Sequence, residues 1–178
     1  HQDLLRLSVA SAGNDHRLGA AEAPPAIISM YLGDELTAIL DAISEDKAYE
    51  KKKTAKMDMG VGVIPAFMQD TTDRNRTSPF AFTGNKFEFR MVASSMSIAG
   101  ANTVLNATVA DVLQSMADRM EKTDDLDKTV DEIIYETLKE HQKVIFNGNG
   151  YSDEWIAEAE KRGLPNVKTM VDATASLL

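Results

Sequence analysis

The segment Lys86-Phe87-Glu88-Phe89-Arg90-Met91-Val92 alternates strictly between large apolar and charged side chains over its first five positions. A period of two fits a pleated strand and no helix, so this stretch must lie in a sheet with Phe87 and Phe89 on one face. Lys86, Glu88 and Arg90 then share the other face, with Glu88 and Arg90 about 7 Å apart at two residues of strand rise. A carboxylate and a guanidinium so placed match two chemistries, oxygen ligation of a hard divalent cation and bidentate binding of a carboxylate. From this segment alone, a solvated strand face with cross-strand ion pairs is the plainer reading.

Around that strand the chain divides in two. Residues 1–10 read as the end of a buried helix, and 11–25, with two glycines and two prolines, as a loop. The run 26–32 is short, apolar and isoleucine-rich, which predicts a buried strand stopped by Gly33. Asp34 caps a predicted helix over 35–45 with Leu36, Ile39, Leu40 and Ile43 on one stripe. The lysine-rich run 48–60 reads as an exposed connection, and 70–85 as a second loop.

Beyond residue 96 the period changes. A helix is predicted over 97–121, with Ile98, Ala101, Leu105, Val109, Val112, Met116 and Met120 as its apolar stripe. Another is predicted over 127–146, with Val130, Ile134, Leu138, His141 and Ile145 facing inward. After the NGNG turn, Ser152 caps a third helix, closed by Gly163 and Pro165. The tail 167–178 has room for one or two more turns. The expected fold class is α+β, with a few curved-sheet strands in the first half and a helical C-terminal half.

Composition removes several functions. The 178 residues carry a net charge of −9, which repels a phosphate backbone and argues against a nucleic-acid partner. Cysteine is absent, so disulfides, thiolate nucleophiles and cysteine–zinc sites are excluded for this sequence. No apolar run approaches the roughly 20 residues that span a bilayer. The first residue is His1, already within a helical pattern, so a piece of a longer protein is expected.

Two further segments carry chemistry. Asp73-Arg74-Asn75-Arg76-Thr77 sets two arginines just ahead of the strand, and arginine geometry suits phosphoryl oxygens. An exposed loop in which Asp73 balances Arg74 is the plainer reading. Gly13-Asn14-Asp15-His16-Arg17-Leu18-Gly19, followed by Ala20 to Pro25, reads as a polar lid with Glu22 at its tip. His16 is a conceivable base, although beside Asp and Arg it reads better as a surface hydrogen-bonder. His141, on an apolar stripe, reads as structural. The NGNG turn lacks the lysine of a phosphate loop.

Together, GNDHRLGAAEAPPAIIS (13–29) and DRNRTSPFAFTGNKFEFR (73–90) closely resemble the type III glutamine synthetases. The order of the motifs agrees, and nearly the whole chain aligns. The resemblance implies the C-terminal part of the catalytic domain, with active-site motifs and an insertion at about 33–70 within 1–96, and helices over 97–178. It implies that Arg17 and Arg90 hold substrate glutamate, and that Glu22 is the flap residue that closes the site and helps deprotonate ammonium. Arg76 would contact the transferred phosphoryl group, Lys86 would meet ATP phosphates, and Glu88 would ligate magnesium or manganese. The parent would be a cytoplasmic, ring-shaped, twelve-subunit ligase that joins ammonia to glutamate with ATP.

The sequence departs from the commoner types at several points. Glu22 and Asn75 lie far apart, Ala81 stands near a usual second arginine, and Ala21 replaces an expected asparagine. In that family the other metal ligands lie upstream and a neighbouring subunit completes each site, so the 178-residue chain is expected not to turn over alone. Two alternatives remain: a γ-glutamyl-amine or polyamine ligase, and a non-catalytic helical interaction module on the same scaffold. A phosphagen-kinase relative is a weaker third, since it would be expected to carry a reactive cysteine.

Overall fold

The computed structural model describes residues 1–20, 23–49 and 78–175, together with the backbone pairing of 56–57 and 67–68. Seven α-helices and five short strands lie among these residues. Strand β1 (Met30–Tyr31) runs parallel to β4 (Phe80–Phe82), and β4 pairs antiparallel with β5 (Phe87–Phe89). Strands β2 (Lys56–Met57) and β3 (Phe67–Met68) form a separate antiparallel pair. The helices are α1 (Gln2–Ser8), α2 (Ala12–Arg17), α3 (Asp34–Ser44), α4 (Ala99–Met120), α5 (Leu126–His141), α6 (Asp153–Lys161) and α7 (Met170–Ala175). The architecture is thus mixed α and β, with a small three-stranded sheet and a helical majority.

The β4–β5 hairpin follows directly from the alternation. Its register sets Phe80 opposite Phe89, Ala81 opposite Glu88 and Phe82 opposite Phe87. The rings of Phe87 and Phe89 both lie against Phe80, with centroids 5.6 and 5.7 Å away, so they share a face as the period required. The turn closes through Thr83 N–H donating to the Lys86 carbonyl at 2.9 Å, with Gly84 at φ 92°, a left-handed value that favours glycine.

Two apolar clusters hold the molecule together. One joins Val9, Ile28, Met91 and Ala101, with Leu5 and Phe89 packed on it, and so locks the first two turns of chain to the end of β5. The other gathers Ile27, Trp155, Ala159 and Leu164. Trp155 stacks on Phe146 at 3.6 Å between centroids and 13° between planes. Helix α6 starts as its sequence demands, with Ser152 Oγ accepting from Trp155 N–H at 3.2 Å, and it is followed by Gly163 at φ 69°. Asn147, from the NGNG turn, accepts from the N–H groups of Leu32 and Gly33 and donates to Thr37, which ties the start of α3 to the second half.

Several expectations are corrected. Residues 12–17 form helix α2, capped by Ser11, whose Oγ accepts from Asn14 N–H; with Gly13 inside it and Gly19 beyond, the segment had read as loop. Residues 26–29 are buried, yet only Met30 and Tyr31 belong to the ladder. The segment read as a loop over 70–85 contains β4. On α4, Ala101 is buried but Ile98, Val109 and Val112 are exposed, because α1 and α5 pack on only part of its surface. Helix α5 stops at His141 and gives way to a 3-10 turn over Gln142–Val144. Its inward residue is Ile133, one position from the predicted Ile134, and His141 is solvent-exposed near Glu140.

Arg6 is 2% exposed and ties the C-terminal segment to the front of the chain. Its guanidinium donates to the carbonyls of Val167 (2.7 Å) and Lys168 (3.2 Å) and stands 3.5 Å from Asp15 on α2, which itself accepts from Met170 N–H at 2.9 Å. Burial pulls the Arg6 guanidinium below its usual pKa while Asp15 pulls it back, and an arginine so paired stays charged. Arg6→Ala strands two carbonyls and a carboxylate. It should cost about 2–4 kcal/mol, read as a lower midpoint in chemical denaturation with an unchanged slope.

Candidate functional site

The predicted site residues fall into three groups. Glu22 and Arg76, with the rest of 73–77, lie outside the described residues. Arg17 and Arg90 line a single cavity of about 140 Å³. Lys86 and Glu88 sit beside that cavity's strand but do not line it.

Each arginine is held by backbone. Arg17 ends helix α2, where its Nε donates to Asn14 Oδ1 at 2.9 Å and its Nη2 to the Met91 carbonyl at 2.6 Å. Arg90 follows β5, with its N–H on the Pro79 carbonyl at 2.7 Å and Nη2 on the Ser78 carbonyl at 2.9 Å. Both side chains are half-buried. Their ordering is met by the fold itself, so a ligand need not supply it.

Pro24, Pro25, Met91 and Tyr151 complete much of the wall, and no carboxylate side chain stands among the described lining residues. Two guanidinium groups beside a cavity with no carboxylate in its described lining set up a local positive field on a chain whose net charge is −9. Its volume is below the several hundred Å³ typical of cofactor pockets, so it fits a small anionic group and not a nucleotide. Next to the cavity, Gly19 N–H donates to the Pro24 carbonyl at 2.9 Å, and Ala23 and Pro24 are part of the wall.

Glu88 is partly buried, its side chain 28% exposed, and Lys86 Nζ stands 4.0 Å from it. One carboxylate offers at most two oxygens, whereas magnesium wants six ligands and calcium six to eight. Among the described residues no group of three or more acidic or histidine side chains could hold a metal ion. Glu88 is suited to one ligand position and no more. His16 is exposed.

Sequence reasoning missed Asn14 and Tyr151. Asn14 lies three residues before Arg17, one helical turn, a signal visible once 12–17 is read as helix. Tyr151 comes from a distant turn, and nothing local points to it.

The glutamine synthetase C-terminal domain matches residues 129–178. Over 180 positions the chain is 47% identical to a protein named Type-3 glutamine synthetase from Dictyostelium discoideum, covering 99% of this chain. It is 48% identical over 175 positions to a glutamine synthetase from Bacteroides fragilis, covering 94% of the chain, and 49% identical over 172 positions to one from Butyrivibrio fibrisolvens, covering 95%. The chain belongs to the glutamine synthetase family. It spans about a quarter of the length of these relatives, 24% of each. The motifs around Arg17 and Arg90 are therefore those of a glutamine synthetase segment, and the described helices α5 to α7 include most of the stretch matched by the C-terminal domain.

Proposed function

We propose that this chain is part of an enzyme that joins ammonia to the side-chain carboxylate of glutamate at the expense of ATP. The observation that carries the reading is the convergence of Arg17 and Arg90 on one small cavity without a carboxylate in its described wall. Two prepositioned guanidinium groups read a carboxylate through charge-assisted, geometrically fixed hydrogen bonds.

In this reading glutamate sits with a carboxylate against Arg17 and Arg90. The terminal phosphoryl group of ATP moves to the side-chain oxygen of glutamate and ADP leaves. Charge spread over the equatorial oxygens is met by cationic side chains, Arg76 and Lys86 being the candidates here. Ammonia then attacks the acyl carbon and phosphate departs. Water would destroy the acyl phosphate, which gives Glu22 its role in closing the site and taking a proton from ammonium. Glu88 would supply one oxygen ligand to a magnesium or manganese ion, which would neutralise phosphate charge, with its other ligands from outside the described residues. The working enzyme is a homo-oligomeric ring in which neighbouring subunits complete each site.

The test is ADP release by the full-length enzyme. It should require both glutamate and ammonia and should fall steeply when a panel of primary amines replaces ammonia. Glu88→Ala should reduce turnover by about 10²–10³-fold or more. Preference for an amine over ammonia would redirect the assignment to a γ-glutamyl-amine ligase, and a fully active Glu88→Ala enzyme would remove the metal role.

A further inference from the structure

Asn14 has no exposed surface, and its carboxamide makes three side-chain hydrogen bonds. Its Nδ2 donates to the Val9 carbonyl at 2.7 Å and to the Met91 carbonyl at 2.9 Å, while its Oδ1 accepts from Arg17 Nε at 2.9 Å. Only one orientation of the amide satisfies this arrangement. A flip would set an oxygen against two carbonyl oxygens and an NH2 against a guanidinium that can only donate. The Met91 carbonyl accepts from both Asn14 Nδ2 and Arg17 Nη2. Arg17 is thus clamped at two of its five N–H donors, through a ring of three groups that spans the ends of α1 and α2 and the exit of β5.

Nothing in the chemistry of ligation needs an asparagine here. A residue serving only to join α1 to β5 could do so through its two donors, without an acceptor aimed at Arg17. We infer that Asn14 is a positioning residue that fixes the angle at which Arg17 presents its guanidinium to the substrate carboxylate. This rests on the reading of the cavity as the glutamate site.

The experiment is steady-state kinetics on the full-length enzyme carrying Asn14→Ala, Arg17→Ala, both changes together, and Asn14→Ser. Asn14→Ala should raise KM for glutamate about tenfold or more, in the range seen when an outer-shell partner is lost. KM for ATP should stay within about twofold, as expected when one substrate's binding alone is disturbed. Adding Asn14→Ala to Arg17→Ala should change KM for glutamate no further. A parallel rise in both KM values, or an effect that adds fully to Arg17→Ala, would mean a structural role only and overturn the inference. Should Asn14→Ala fail to fold, Asn14→Ser decides, because its shorter side chain keeps a donor for a neighbouring carbonyl but presents no amide oxygen to Arg17 Nε: a raised KM for glutamate with KM for ATP unchanged supports the clamp, and a native KM for glutamate overturns it. If Arg17→Ala itself leaves KM for glutamate unchanged, the glutamate reading falls and this inference with it; if only the Asn14 change is silent, the inference alone falls.

Discussion

Arg90→Ala in the full-length enzyme should lower kcat/KM for glutamate by about 10²–10³-fold, the scale on which a buried, hydrogen-bonded charge contact is lost. The reasoning starts from the side chain's surroundings. Arg90 lines the cavity while its Nη2 is steadied by the Ser78 carbonyl at 2.9 Å, so its guanidinium is oriented before a ligand arrives. Alanine removes both the charge and the fork, and it leaves a substrate carboxylate facing Arg17 alone. Arg90→Lys should recover only part of the loss, because an ammonium keeps the charge but cannot make two parallel bonds. The backbone N–H of residue 90 keeps its bond to the Pro79 carbonyl in either variant, so the strand should survive. Equal kcat/KM in wild type and Arg90→Ala would show that this side chain does not read the substrate.

The largest effect on stability is expected at Trp155. It is 3% exposed, stacks face to face on Phe146, and packs with Ile27, Ala159 and Leu164; Arg162 lies over its ring at 5.6 Å. This cluster is where the first part of the chain, through Ile27, meets α6. Trp155→Ala should destabilise by about 3–5 kcal/mol, the usual cost of emptying a large aromatic site that cannot collapse. Trp155→Phe should cost far less, since it keeps most of the stacked area. Chemical denaturation followed by circular dichroism reads both. A loss under about 1 kcal/mol for the alanine variant would show that the cluster relaxes around the hole, and that α6 is held by other contacts.

The same two regions show what could be read from the chain without coordinates. The β4–β5 hairpin and helix α6 were legible because their signals are local: a period of two at Phe87 and Phe89, a serine cap, and a glycine followed by proline. Helix α2 was not. Six residues with Gly13 inside and Gly19 just beyond carry little intrinsic preference, and what holds them is the buried Asn14 reaching Val9 and Met91 across the fold. The stripe on α4 misled in the opposite direction. Its spacing was that of a buried face, but Ile98 and Val109 are 63% and 54% exposed among the described residues.

The candidate site divides along the same line. Arg17 and Arg90 could be named from their residue types and the resemblance that places them. That they share a cavity follows from the Met91 carbonyl, which lies next to Arg90 in sequence and accepts from Arg17 in space. Glu88 was legible as a neighbour of Arg90 on one strand face, yet Arg90 lines the cavity and Glu88 does not. One step beyond β5 the chain turns out of the ladder, and strict alternation no longer governs where side chains converge.

A crystal structure of the full-length enzyme with glutamate bound bears most directly on the central claim. The account predicts a glutamate carboxylate within about 2.7–2.9 Å of nitrogens from both Arg17 and Arg90, the distance of charge-assisted N–H···O bonds. Glutamate bound elsewhere, with this cavity empty or filled by the protein's own backbone, would contradict it.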